Sequence, residues 1–269
     1  MIEPEEFLGS EQQKIAAHET LERYSGSSIE DFQPYVILTN FPKYVDYFAK
    51  TRKCHTYEGA LFKVAHSKKE GISMLDFKIG SPAAALVVDL CAFLPLRAVL
   101  LLGMCGGLRP DYRVGEYFVP MGSIRGDGTS DFYFPAEVPA FANFTIQKVV
   151  TDVLEQEKID YHLGITHTTN KRFWEFNPEF RNRLKVTRPH VVEMECATLF
   201  TASYSHHLPL GALLLISDLP FVPGGLKTKK SSDFIYETFM PDHIEKGIKI
   251  VHQMDKIERL KKTISKEYL

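Results

Sequence analysis

The chain has 269 residues, 44% of them hydrophobic and 25% charged, with a formal net charge of −2. This is the composition of an ordinary globular protein with ample core material; it excludes a disordered chain and, lacking a basic excess, a dedicated nucleic-acid binder. No stretch approaches the length of an apolar bilayer-spanning helix, and the four cysteines show neither a Cys-x-x-Cys pair nor a nearby histidine ligand pattern, which makes a zinc site an unfavoured reading.

The acidic opening MIEPEEFLGSEQQK lacks the apolar run of a secretory signal, which, with unpaired cysteines set in apolar runs, points to a cytoplasmic enzyme. From Leu8 to about Tyr24 the pattern predicts a helix, followed by the Ser/Gly linker SGSS. PYVILTN reads as a short strand, and KYVDYFAK after Pro42 as a helix with Tyr44, Val45 and Phe48 on one face. ALFKVAHS and GISMLDFKIG read as a strand pair joined by KKEG. SPAAALVVDLCAFL is a buried helix that Ser81 caps, with Pro82 in its first turn. RAVLLLGMCGGL gives a central strand ending in a glycine turn, and residues 117–141 read as extended and turn-rich.

Beyond these, FTIQKVVTDVLEQEK predicts an amphipathic helix, YHLGITHTT a strand, PHVVEME a strand, CATLFTASYSHH a helix and LGALLLISD the last long strand. FVPGGLKTKKSS reads as a basic loop, and the chain closes in a long helix from about Asp233 to Tyr268, broken or kinked near Pro241. Strands alternating with helices imply an α/β domain with a mixed or largely parallel sheet covered on both faces. Residues 1–30 form a helical extension and residues 31–269 a single catalytic domain. Ligands of such sheets bind beyond the carboxyl ends of the strands, where the glycine turn, Glu195 and Asp218 fall.

A carboxylate at the end of a buried strand is costly unless it is bonded or used. Partial burial raises the pKa of Asp218, so it can donate a proton to a leaving purine, with Ser217 orienting it; the competing reading is a helix cap. Glu195 can accept two ribose hydroxyls and stabilise positive charge on the sugar; alone it also reads as a helix-start glutamate. Glu193, Met194 and Glu195 in succession favour a site, Met194 supplying an apolar face. Met104, Cys105 and Gly106 in the glycine turn let backbone approach a ligand. Of Phe173 and Trp174, at most one stacks on a base, the other packing in the core. Arg172, Lys43 and Lys227 are candidates for a phosphate, against the alternative of solvated charges. His66, His162 and His167 read as structural, without an acid partner.

VVEMECATL, LLISDLP and LLLGMCGGL, in this combination, resemble the nucleoside phosphorylase/nucleosidase superfamily over about Tyr35 to Val251, and GMCGGLR with TTNKRFWE resembles its bacterial AMP nucleosidases. The resemblance implies a mixed sheet curled into a distorted barrel flanked by helices. It implies that Glu195 and Met194 bind ribose, and that Asp218, with Ser217, protonates the purine. It further implies a homo-oligomer, hexamer or dimer, with no metal or organic cofactor. The positions at which phosphorylases hold phosphate align here with Asn40, Tyr44, Leu101 and Met104; none carries the charge of an Arg, which leaves water as the attacker. The expected activity is hydrolysis of AMP, a small nucleotide, to adenine and ribose 5-phosphate. Its rivals are a purine or uridine phosphorylase and a non-catalytic nucleotide sensor. LTNFPK lacks the water-activating glutamate of methylthioadenosine nucleosidases, so the base is assigned only to Glu195 or to a water held by Thr39 or Asn40.

Overall fold

The computed structural model describes residues 11–257. Ten strands form one mixed sheet: β1 (Tyr35–Thr39), β2 (Thr56–Glu58), β3 (Lys63–Ser67), β4 (Ile72–Asp76), β5 (Ala98–Gly107), β6 (Tyr117–Gly126), β7 (Ala140–Phe141), β8 (Tyr161–Thr169), β9 (Val191–Glu193) and β10 (Leu210–Asp218). β5 pairs in parallel with β1 and with β10, and its last two residues pair antiparallel with β9. Because β10 also pairs with β6, β6 with β8 and β8 with β9, these five strands close on themselves as a barrel. β1, β4, β3 and β2 extend the sheet from β5. This is the curled mixed sheet expected.

Alternation along the strands splits the core in two. On β5, Val99, Leu101 and Cys105 face one apolar cluster while Leu100, Leu102 and Met104 face the other. The first cluster is completed by α1 (Glu11–Ser25), α3 (Ser81–Cys91) and α6 (Cys196–Ser205). The second is completed by α2 (Pro42–Arg52), α4 (Phe144–Gln156), α7 (Lys229–Thr238) and α8 (Met240–Met254). Tyr44, Val45 and Phe48 do share the buried face of α2. No helix among the described residues is long and apolar enough to cross a membrane.

Several local expectations are corrected. β5 runs through Gly106 and Gly107, so these glycines belong to the strand and not to a turn. The segment read as extended and turn-rich is extended over Tyr117–Gly126, where it forms one ten-residue strand, β6, stabilised by pairing on both sides. Ser81 is the first helical residue of α3 rather than its cap; Gly80 holds the cap position, and the Ser81 hydroxyl donates to the Met194 carbonyl at 2.9 Å. α5 (Pro178–Thr187), capped by Asn177, was not foreseen. The closing helix is broken near Pro241 as expected, but it begins earlier than Asp233: α7 starts at a Thr228–Ser231 capping box, and α8 starts at Met240 with Pro241 in its first turn, where proline is tolerated. The expectations for Leu8–Ser10 and beyond Ile257 lie outside the described residues.

Candidate active site

Gly106 organises the site. On one side it is level with Val192 of β9, and on the other with Asp218 of β10. Barrel closure therefore brings the end of VVEME and the end of LLISD to the same strand terminus. A bulge between Ile216 and Asp218 shifts the register there, and such bulges re-aim the side chains that follow. A Cβ on residue 106 would lie 2.9 Å from Pro220 Cγ and 3.3 Å from Asp218 Oδ2, so a side chain there would crowd Pro220 first and the carboxyl with it.

One cleft is lined by Asp218, Ser217, Glu195, Met194, Glu193, Met104, Cys105, Gly106, Asn40, Arg172 and Trp174, together with Glu175, Lys227, Phe41 and Thr169. The Ser217 hydroxyl donates to Asp218 Oδ1 at 2.7 Å. Burial raises the Asp218 pKa from its usual value, while the Ser217 bond and the nearby charges of Lys227 and Arg172 partly oppose it. The carboxyl thus keeps a proton more readily than an exposed aspartate. Asp218 ends a strand and is followed by the Leu219–Pro220 turn region rather than by a helix, which removes the capping alternative.

Glu195 occupies the N-cap position of α6, but its side chain does not cap the helix. Its Oε1 accepts from the Gly80 N–H at 2.8 Å and from Asn40 Nδ2 at 3.2 Å, and Oε2 from the Met194 N–H at 3.3 Å. Burial and the neighbouring charge of Glu193 push its pKa up to about 7 despite these donors. Gly80 adopts a φ of +93°, a conformation side chains rarely take, and that geometry aims its N–H at the carboxylate.

The structure separates Glu193 from its neighbours in role. It lines the cleft, but its oxygens accept from the Thr166 and Thr168 hydroxyls and from the Glu195 and Cys196 N–H groups. This carboxylate caps α6 and fixes the turn that carries Glu195; it has little acceptor capacity left for a ligand. Trp174 is buried against Phe180 and Phe221, so it walls the cleft from within a small apolar cluster. Phe173 does not line the cleft: it is exposed and lies against the Arg172 guanidinium. Lys43 is also outside, on the surface beside Asp233. Of the four positions aligned with phosphate-holding residues, Asn40 and Met104 line the cleft, whereas Leu101 is core and Tyr44 is buried against His243 Nδ1 at 2.9 Å. His162 does have an acid partner, Glu116 at 2.7 Å, contrary to expectation.

Lys227 becomes prominent only in three dimensions. Its Nζ is 3.5 Å from both Met104 Sδ and Ser217 Oγ and 5.6 Å from the Phe41 ring centre. Burial lowers its pKa, although the charge of Asp218 opposes this. It makes no ion pair among the described residues, whereas Arg172 is paired with Glu175 at 2.8 Å. Glu175 escaped the sequence reading, since an acid inside an aromatic run gives no periodic signal. Among the described residues no three His, Cys, Asp or Glu side chains are grouped to hold a metal ion.

Residues 26–252 match the family model of the phosphorylase superfamily. The chain belongs to that superfamily. Phosphorylase-superfamily relatives include AMP nucleosidase of Escherichia coli, 26% identical over 86% of this chain, and uridine phosphorylase of Treponema pallidum, 26% identical over 76% of this chain and 84% of its own length. The chain spans 57% of the length of the E. coli relative. Among solved structures, an AMP nucleosidase from Bacteroides thetaiotaomicron superposes with a TM-score of 0.80 at 31% identity, covering 91% of this chain and 98% of that one. A uridine phosphorylase from Vibrio fischeri, at TM-score 0.74 and 19% identity over 84% of this chain and 93% of its own, shares the fold. Family and relatives are nucleoside-processing enzymes.

Proposed function

We propose that this superfamily member hydrolyses the N-glycosidic bond of AMP, giving adenine and ribose 5-phosphate. The observation that carries the reading is a buried carboxyl of raised pKa, Asp218, held by Ser217 in the same cleft as a second carboxylate, Glu195. The C1′–N9 bond breaks with its electron pair going to the purine, and Asp218 supplies the proton that N7 takes up. Glu195 grips the ribose hydroxyls and offsets the positive charge on the sugar. Water forms the new bond to C1′. Asn40 Oδ1, buried and without a partner among the described residues, is an acceptor suited to hold that water, and its proton passes to Glu195, which Asn40 already bonds. Lys227, which lines the cleft and makes no ion pair among the described residues, binds the 5′-phosphate. The self-association implied by the family belongs to this reading and is tested by sedimentation of the full chain.

One observation favours a second reading. Lys227 lies beside Met104, one of the positions aligned with phosphate-holding residues, and a cation there suits inorganic phosphate as nucleophile. Incubation with AMP, adenosine and uridine, with and without phosphate, separates the two. Phosphate-independent release of adenine from AMP is expected. Strict dependence on phosphate, with ribose 1-phosphate as product, would replace hydrolysis by phosphorolysis; stable AMP binding without adenine release would make the protein a sensor.

A further inference from the structure

Glu175 sits in a single turn, Trp174–Phe176, at the edge of the cleft. It is 9% exposed. Its Oε1 accepts from Arg172 Nη1 at 2.8 Å, but Oε2 is fully buried and has no hydrogen-bond partner among the described residues. A buried acceptor left empty in this way destabilises the fold, a cost that a ligand can remove by donating to it. Both side chains stand close enough to Asp218 for their charges to act on it, in opposite senses. A carboxylate can only accept and a guanidinium can only donate. Beside the proton donor the cleft therefore offers an acceptor next to a donor.

Adenine presents the complement. The exocyclic 6-amino group, a donor, adjoins N7, and N1, an acceptor, follows it. A 6-oxopurine places an oxygen where the amine stands and would face the Glu175 carboxylate with a second acceptor. We propose that Glu175 and Arg172 read the base edge, Glu175 Oε2 accepting from the 6-amino group and Arg172 donating to N1, and that this pair makes the cleft selective for 6-aminopurines. The proposal rests on the reading above, in which a purine lies against Asp218, and adds the determinant of which purine.

Binding of the free bases tests it without relying on turnover. Calorimetry of the full chain with adenine, unsubstituted purine and hypoxanthine should show adenine about 10–100-fold tighter than purine, the range of one hydrogen bond to a charged group, with hypoxanthine weakest. Glu175→Ala should bring adenine and purine to equal affinity. Glu175→Gln, which keeps a partner for Arg172 and can donate as well as accept, should narrow the gap between adenine and hypoxanthine; it decides the matter if the alanine variant fails to fold. A merely structural Glu175 would weaken all three bases together and leave their ratios unchanged, and that result overturns the proposal while leaving adenine as a ligand. If the wild-type chain binds no purine base but turns over uridine with phosphate, the underlying reading fails first and this one with it.

Discussion

Asp218 and Glu195 carry the same functional group in different surroundings, and the difference sets the two limbs of a pH profile. A proton donor works only while protonated, so activity should fall as pH rises past the elevated pKa of Asp218. Glu195 works ionised, and burial pushes its pKa up to about 7, so activity should also fall as acid protonates it, leaving a limited window in which both forms coexist. The kcat/KM profile for AMP is expected to be a bell. Asp218→Asn should lower kcat by about 10²–10⁴ and erase the alkaline limb; retention of most activity would remove Asp218 from the acid role. Glu195 also bears on stability. Its folded pKa lies above the usual 4.5, so the folded state holds the proton more tightly, and that contribution, full below 4.5, is lost as pH rises through about 7. Glu195→Gln should therefore be more thermostable than the wild type at pH 8, by a margin that shrinks towards pH 5, while turning over far more slowly. Equal melting temperatures at pH 8 would mean that Glu195 is not strained by its burial.

At the scale of elements, the site depends on how three strand ends meet. The bulge before Asp218, the level pairing of Gly106 with Val192 and Asp218, and the positive φ of Gly80 are all backbone features. Much of the fold was readable from hydrophobic patterning: four of the five barrel strands and most of the flanking helices follow from apolar runs, alternation or 3.6-residue patterns, and the acids at strand ends stood out because burial makes them costly. What the periodicity does not encode is pairing. β6 read only as extended and turn-rich because proline and glycines interrupt its sequence, yet pairing on both sides carries it through ten residues despite an irregularity at Pro120–Gly122. The division of labour between Glu193 and Glu195 was equally hidden, since Glu193 is turned onto the Glu195 and Cys196 N–H groups while the Thr166 and Thr168 hydroxyls of β8 hold its other oxygen. Lys227 and Glu175 reach the cleft from segments with no regular pattern. Gly106→Ala probes this geometry directly. The added methyl must displace Pro220 or the Asp218 carboxyl, and misplacing a catalytic group by a fraction of an ångström to an ångström lowers kcat by about 10–100-fold. Far-UV circular dichroism should stay unchanged; an unaltered kcat would show that the Pro220 turn yields without moving Asp218.

For the whole molecule, the relevant question is what limits stability in acid. His66, His167 and His243 are buried, and burial lowers each pKa to about 4. Unfolding releases them to their usual value of 6.5, so between pH 6.5 and 4 the unfolded chain takes up protons that the folded chain refuses. Stability from these residues is complete above pH 6.5 and is lost as pH falls towards 4. Glu195 and Asp218, whose pKa values burial raises, act in the opposite sense, while His190, lowered by its own burial, adds to the three histidines. The melting temperature should therefore drop steeply on acidification through this window. The three histidines are not equivalent. His66 bonds Ser73 and Ser27, and His243 bonds Tyr44 and the Leu213 carbonyl, so each returns hydrogen-bond energy to the fold. His167 has neither ring nitrogen partnered among the described residues, and it is packed edge-on against Phe180 under the aromatic wall of the cleft. An apolar replacement of similar volume removes both the unsatisfied nitrogens and the proton uptake of the unfolded state. His167→Leu is expected to raise the melting temperature at every pH and to flatten its decline below pH 6.5. A variant less stable than the wild type at pH 5 would show that the buried imidazole has a polar partner holding it in place.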